Sequence, residues 1–144
     1  MPLDENRLFK PVNIALLTVS DTRGINNDTS GDLLAERIVT AGHKLADRAI
    51  LRDDTALITA QLQSWIDDDH IDVVISTGGT GLTGRDVTPE ALNRVKTKDI
   101  PGFGELFRWL SFASIGTSTI QSRACAVLAG GTYVFALPGS NGAV

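Results

Sequence analysis

Ile71-Asp72-Val73-Val74-Ile75-Ser76-Thr77-Gly78-Gly79-Thr80-Gly81, running on through Gly84-Arg85-Asp86-Val87-Thr88-Pro89-Glu90, is the stretch that decides the fold of this chain. Its apolar run, Ile71 to Thr77, reads as a strand buried on both faces, the pattern of a parallel sheet. Thr88 is the expected cap of the next helix, with Pro89 at the first helical position. Glycines between a strand's carboxyl end and a helix let the backbone approach a ligand closely and turn its N–H groups toward an anion. Asp86 lies in the same loop. Amide donors and an acid at one strand end suggest phosphate handled with a metal ion.

Strand and helix signals alternate on either side. Val12 to Ser20 is an apolar strand that leads into Ser20-Asp21-Thr22-Arg23-Gly24. Thr29, with Asp32 three residues later, marks a helix start, and Leu34, Ile38 and Ala41 share one face before Gly42 stops it. Leu45 to Leu51 reads as a second strand, whose Asp47 and Arg48 suit a sheet edge. Arg52-Asp53-Asp54-Thr55 opens a helix with Ile58, Leu62, Trp65 and Ile66 at helical spacing. After the glycine loop, a helix runs from Pro89 to about Lys96, and another starts near Phe103. Arg123 to Leu128, Gly130-Gly131 and Thr132 to Leu137 predict a two-residue β-hairpin. The sum is α/β: a three-layer α/β/α fold with a mostly parallel sheet and one antiparallel hairpin strand. Ligands in such sheets sit outside the carboxyl ends of the strands.

Residues 1–11 are polar and read as an amino-terminal extension, leaving 12–144 as one domain. Leu137-Pro138-Gly139-Ser140-Asn141 is a strand end followed by a turn, a pattern that leads to the expectation of a further carboxyl-terminal helix in the natural product. The 144 residues are 42% hydrophobic, and a domain of this size buries roughly 68–70% of its unfolded surface. Thirteen Lys and Arg against 17 Asp and Glu give a net charge of −4, which disfavours nucleic acid as a partner because counterion release needs a basic face. No apolar run approaches the ~20 residues that span a bilayer, so no membrane partner is expected. Met1 to Pro11 does not read as a signal peptide, and the expected compartment is the cytoplasm. The lone Cys125, in Ala124-Cys125-Ala126-Val127-Leu128, reads as a small core residue. His43 and His70 lack the spacing of zinc ligands.

Gly79-Thr80-Gly81-Leu82-Thr83-Gly84 satisfies G-x-G-x-x-G and raises a nicotinamide-binding oxidoreductase as one reading. Its context is wrong for that: it follows the third strand, and the helix starts only near Pro89. A Walker loop requires Lys-Ser/Thr where Arg85-Asp86 stands. Asp21, Asp53 and Asp86 project from strand ends or the helix starts after them. Singly, each suits a turn or a helix dipole. Together on one rim they can hold Mg²⁺ through one or two carboxylates, with phosphate oxygens completing its shell. Arg85, Arg108 and Arg123 are candidate phosphate partners.

Seven segments in order carry a resemblance: Leu17 to Arg23, Asp28-Thr29-Ser30-Gly31, Thr77 to Gly81, Arg85 to Ala91, Pro101-Gly102-Phe103-Gly104-Glu105, Gln121 to Ala124, and Leu137-Pro138-Gly139-Ser140. Together they resemble the MoaB/MogA family of molybdenum cofactor biosynthesis, and Gly116 to Arg123 points to its MoaB branch. The resemblance implies binding of molybdopterin and Mg²⁺- and ATP-dependent adenylylation of its phosphate. The family's catalytic and metal-binding aspartates map onto Asp53 and Asp86. Its pterin-binding loops map onto Ser20 and Asp21; Thr77, Gly78, Gly79, Thr80 and Gly81; Ser122 and Arg123; and Pro138, Gly139 and Ser140. Arg52 and Asn141 stand where the family often has Pro, or Pro or Ser. A non-catalytic molybdopterin carrier or scaffold is the second reading that the resemblance implies. Other proteins of the pathway are implied partners, as is self-assembly into a trimer or hexamer, with the apolar Phe103 to Phe112 segment serving core or interface.

Overall fold

The computed structural model describes residues 2–144; Met1, the first residue of the expected extension, lies outside them. Six strands form one sheet: β1 (Asn13–Val19), β2 (Lys44–Leu51), β3 (Val73–Thr77), β4 (Lys98–Asp99), β5 (Cys125–Ala129) and β6 (Thr132–Leu137). Their spatial order is β2-β1-β3-β6-β5-β4. β1 pairs in parallel with β2 and β3, β3 pairs in parallel with β6, and β5 runs antiparallel to both β6 and β4. The sheet is therefore parallel throughout except for β5, as the hairpin signal predicts.

Four helices cover it: α1 (Thr29–Thr40), α2 (Thr55–Ile66), α3 (Thr88–Val95) and α4 (Pro101–Ile115), with a 3₁₀ segment at Gly116–Gln121. Side-chain alternation sorts them into layers. Ala15, Leu17 and Val19 of β1, with Val74, Val134 and Ala136, pack against Ile58, Leu62 and Trp65 of α2 and Ala91 and Leu92 of α3. The opposite parity, Leu16, Ile75 and Phe135 in register, faces α1 and α4; the Phe103 ring meets Phe135 edge-on at 5.0 Å. Central β1 is covered on both faces and buried from Ile14 to Val19, which explains its lack of polar alternation.

Three local readings change. The cap of α1 is Asp28, whose carboxylate accepts from the Gly31 amide at 3.0 Å; Thr29 is already helical. Thr88 is the first residue of α3, not its cap, and its hydroxyl donates to the Gly78 carbonyl at 2.8 Å. The stretch between α3 and α4, which the sequence assigns to no element, forms the short edge strand β4 on β5. Two polar residues carry no strand signal of their own; the partner strand defines them.

Candidate functional site

A cavity of about 710 Å³ opens at the carboxyl ends of β1, β3 and β6. Its walls are the loops that leave those strands, Asp53 two residues past the end of β2, and one face of α4 with the following segment. The parallel order β1-β3-β6 thus brings residues 18–23, 77–86 and 138–143 to one place. This is the rim at which doubly wound sheets hold ligands.

The β3 loop is built around two glycines in the left-handed region, Gly78 (φ 101°) and Gly79 (φ 71°). A methyl group on Gly78 would lie 2.1 Å from the Val19 carbonyl oxygen, and one on Gly139 only 3.3 Å from the Gly78 Cα. Two loops therefore touch backbone to backbone, which only glycine allows. Internal bonds fix the loop: the Gly78 amide donates to Leu137 O (2.9 Å), Thr88 N to Gly79 O (3.0 Å), and Thr77 Oγ1 to Pro138 O (2.9 Å). Among the described residues, the Gly79 and Thr80 amides have no acceptor. They are donors in a concave loop, an arrangement that suits an anion.

Asp53 and Asp86 line the same cavity. A Cβ on Gly79 would stand 3.2 Å from Asp53 Oδ1, and one on Gly81 2.7 Å from Asp86 Oδ2, so each acid lies against the glycine loop. Their environments differ. Burial, reinforced by the negative charges of Asp21 and Asp86, pushes the Asp53 carboxyl above its ordinary value despite the opposing charge of Arg85. Asp86 is held below its ordinary value, first by the Thr83 hydroxyl (2.7 Å) and also by the Thr83 amide (2.9 Å), against a smaller contrary effect of burial. Asp21 lies outside the cavity lining; its carboxylate pairs with Arg85 and accepts from the Asp53 amide at 3.1 Å. Among the described residues, no three His, Cys, Asp or Glu side chains form a closed metal cage. Two hard carboxylates beside open anion donors fit Mg²⁺, which keeps few protein ligands and shares the rest with phosphate oxygens.

A carboxylate whose folded value is raised binds its proton more tightly in the native state. Asp53 therefore weakens folding above that value and is without effect below the unfolded value. Asp53→Asn is expected to raise the melting temperature at pH 7, and the gain should fade as the pH falls toward 3.8. Melting curves of both proteins at neutral and acid pH check this. An equal or lower melting temperature for the variant at pH 7 would contradict it.

The arginines divide sharply. Arg85 is paired with Asp21. Arg108 donates to the carbonyls of Ser122 (3.2 Å) and Ala124 (2.9 Å). Arg123 is outside the cavity lining: its Nε donates to Gly81 O (2.8 Å), its guanidinium to Asp86 O (2.7 Å), and it pairs with Glu90. It props both ends of the glycine–acid loop from behind. Among the described residues, Arg23 alone of the Lys and Arg side chains lines the cavity. Beneath it lies Asp28, fully buried, accepting from Thr18 Oγ1 (2.6 Å), Arg48 (2.9 Å) and the Gly31 amide (3.0 Å). Burial alone would raise this carboxyl, but those three donors outweigh it and hold it below its ordinary value.

Of the residues picked from the sequence, Ser20, Thr77, Gly78, Gly79, Thr80, Gly81, Ser122, Pro138, Gly139 and Ser140 all line the cavity with Asp53 and Asp86, whereas Asp21 and Arg123 support it from outside. Ser20 Oγ accepts from the amides of Thr22 (3.2 Å) and Arg23 (3.1 Å), which shapes the β1 loop. Sequence reasoning missed Arg23 and the wall formed by Phe107, Ser111, Ser114 and Ile115. Their spacing of four, three and one along α4 puts them on one helix face, and that stripe was the available signal. The G-x-G-x-x-G match has no structural counterpart: Gly84 is followed by three further residues before α3 begins at Thr88.

A family profile described as "Probable molybdopterin binding domain" matches residues 15–144. Molybdenum cofactor biosynthesis protein B of Escherichia coli K12 is 50% identical over 133 residues, 92% of this chain and 78% of the relative. A crystal structure of a molybdenum cofactor biosynthesis protein B superposes with a TM-score of 0.90 at 42% identity, covering 94% of this chain and 85% of that one. A structure of MogA gives a TM-score of 0.81 at 27% identity, covering 90% and 85%.

Proposed function

The chain belongs to the molybdenum cofactor biosynthesis family of MoaB and MogA, and from that premise we propose that it binds molybdopterin in the cavity and adenylylates its phosphate with Mg-ATP. One observation carries the reading: the open amides of the glycine loop and the two acids, Asp53 and Asp86, meet in one cavity. In this reaction an oxygen of the molybdopterin phosphate attacks the α-phosphorus of ATP, and the bond to pyrophosphate breaks. The Gly79 and Thr80 amides bind anionic oxygens without a desolvation cost from mobile side chains. Asp53 and Asp86 are the residues that would hold Mg²⁺, which when bound offsets the negative charge of the polyphosphate. Thr83 fixes Asp86 in place, and the crowding of Asp53 by Asp21 and Asp86 is relieved by any bound cation. Phe107 and Ile115 offer an apolar wall to a flat ring, with Ser111 and Gln121 as polar edges.

The test is transfer of labelled AMP from ATP to molybdopterin, which the purified protein is expected to catalyse. Pterin binding without AMP transfer would select the carrier reading instead. A cytoplasmic setting among other proteins of the pathway completes the proposal; no helix of the described residues is long and apolar enough to cross a membrane.

Self-assembly into a trimer or hexamer belongs to the same reading. The outer face of α4 leaves Leu106 (53%), Trp109 (74%), Leu110 (60%) and Phe112 (56%) exposed. So many large apolar side chains on one helix of a soluble domain mark an interaction surface. Sedimentation at micromolar concentration is expected to give a mass of three or six chains, and a monomer would count against it.

A further inference from the structure

Among the described residues, Arg23 is the one cationic side chain in a cavity that otherwise offers anions backbone amides, hydroxyls and the Gln121 side-chain amide. The other arginines near the cavity are engaged with Asp21, with Glu90 and loop carbonyls, or with the carbonyls of Ser122 and Ala124. The structure holds Arg23 in a different way. Its NH1 donates to Ser30 Oγ at 2.8 Å, and the Ser30 hydroxyl in turn has two acceptors within reach, the Gly139 carbonyl at 2.7 Å and Asn141 Oδ1 at 2.8 Å. One corner of the guanidinium is thereby pinned to the β6 loop. Its Nε and NH2 have no hydrogen-bond partner among the described residues.

The nearby buried acid does not account for it. Asp28 already receives Thr18, Arg48 and the Gly31 amide at 2.6 to 3.0 Å, while Arg23 stands 4.0 Å from it. Asp28 is satisfied without Arg23, and the side chain of Arg23 is about one-third exposed at the cavity wall. A guanidinium tethered at one corner, with its remaining fork open to a cavity, is preorganised for bidentate contact with a phosphate.

Building on the proposed function, we propose that Arg23 is a specificity-determining anchor for a phosphate group of the bound ligand, held in its working orientation by Ser30. Two sources share that chemistry: the phosphate of molybdopterin and the polyphosphate of the nucleotide. Titration calorimetry with molybdopterin, its dephosphorylated form and Mg-ATP, on wild type and Arg23→Gln, separates them. Loss of a charge-assisted pair is worth about ten- to a hundredfold in affinity. A loss of that size for molybdopterin, absent for the dephosphorylated pterin, assigns Arg23 to the pterin phosphate. The same loss confined to Mg-ATP assigns it to the nucleotide. Ser30→Ala keeps the charge and releases the tether, so a smaller loss on the same ligand is expected; Arg23→Lys should behave likewise and serves if Arg23→Gln does not fold. Equal affinities for every ligand, or equal losses with and without phosphate, overturn the assignment while leaving the proposed function standing. A wild-type protein that binds neither molybdopterin nor Mg-ATP overturns both.

Discussion

Asp86→Asn is expected to cut AMP transfer by on the order of 10²–10³, the loss seen when one preorganised electrostatic group is removed, with the fold and pterin binding intact. Asp86 Oδ2 accepts from both the Thr83 amide and the Thr83 hydroxyl. An asparagine carbonyl oxygen in that position keeps both bonds, so the loop retains its shape. What disappears is the negative charge beside Asp53, and with it half of the proposed Mg²⁺ site. The loss should therefore fall on kcat, and added Mg²⁺ should restore part of it if the defect is weakened metal binding. Steady-state AMP transfer at several Mg²⁺ concentrations, beside a melting curve, makes the measurement. Unaltered turnover would remove Asp86 from the chemistry.

A second large effect is expected away from the catalytic acids. Asp28→Ala should destabilise the domain by about 1–3 kcal/mol, the usual cost of leaving buried donors without their acceptor. The substitution leaves the Thr18 hydroxyl and the Gly31 amide without their acceptor, leaves Arg48 with Asp32 alone, and uncaps α1. The carboxylate packs directly on Gly31, where a Cβ would stand 2.0 Å from Asp28 Oδ2. The pH dependence carries a definite sign. A carboxylate held below its ordinary value contributes stability above the unfolded value of 3.8, and that stability is lost as pH falls through the folded value. Urea denaturation of wild type and variant should thus differ most near pH 7, with the two converging in strong acid. A difference that stayed constant across this range would mean that packing, not charge, accounts for the loss.

How much of this was legible beforehand differs by feature. β1, β3 and β6 declare themselves through apolar runs because both faces of a central parallel strand are covered. The glycine loop is equally plain, since its backbone conformation restricts which residues can stand there. The cap of α1 was missed by one residue for an instructive reason. Asp28-Thr29-Ser30 offers three side chains able to cap, and the choice falls to Asp28 because Thr18 on β1 and Arg48 on β2 converge on it from far along the chain. Ser30 is thereby released to hold Arg23 and the β6 loop. From sequence alone Arg123 is one of three candidate phosphate partners, because nothing there shows that Glu90 and two loop carbonyls lie within its reach. Sequence identifies which groups are available near a rim; tertiary pairing decides which of them remain open to a ligand.

The seating of β6 has a consequence for the order of events during synthesis. It follows every other strand in the chain, yet it lies between β3 and β5 in the middle of the sheet. A growing polypeptide that has emerged only as far as β5 lacks the piece that joins the β2-β1-β3 half to the β5-β4 edge, and it lacks Gly139 to abut Gly78. Such late, long-range pairing is slow to form. The binding cleft therefore cannot close until β6 has taken its place between β3 and β5, and a chain that has emerged only as far as β5 offers its ligand an incomplete pocket.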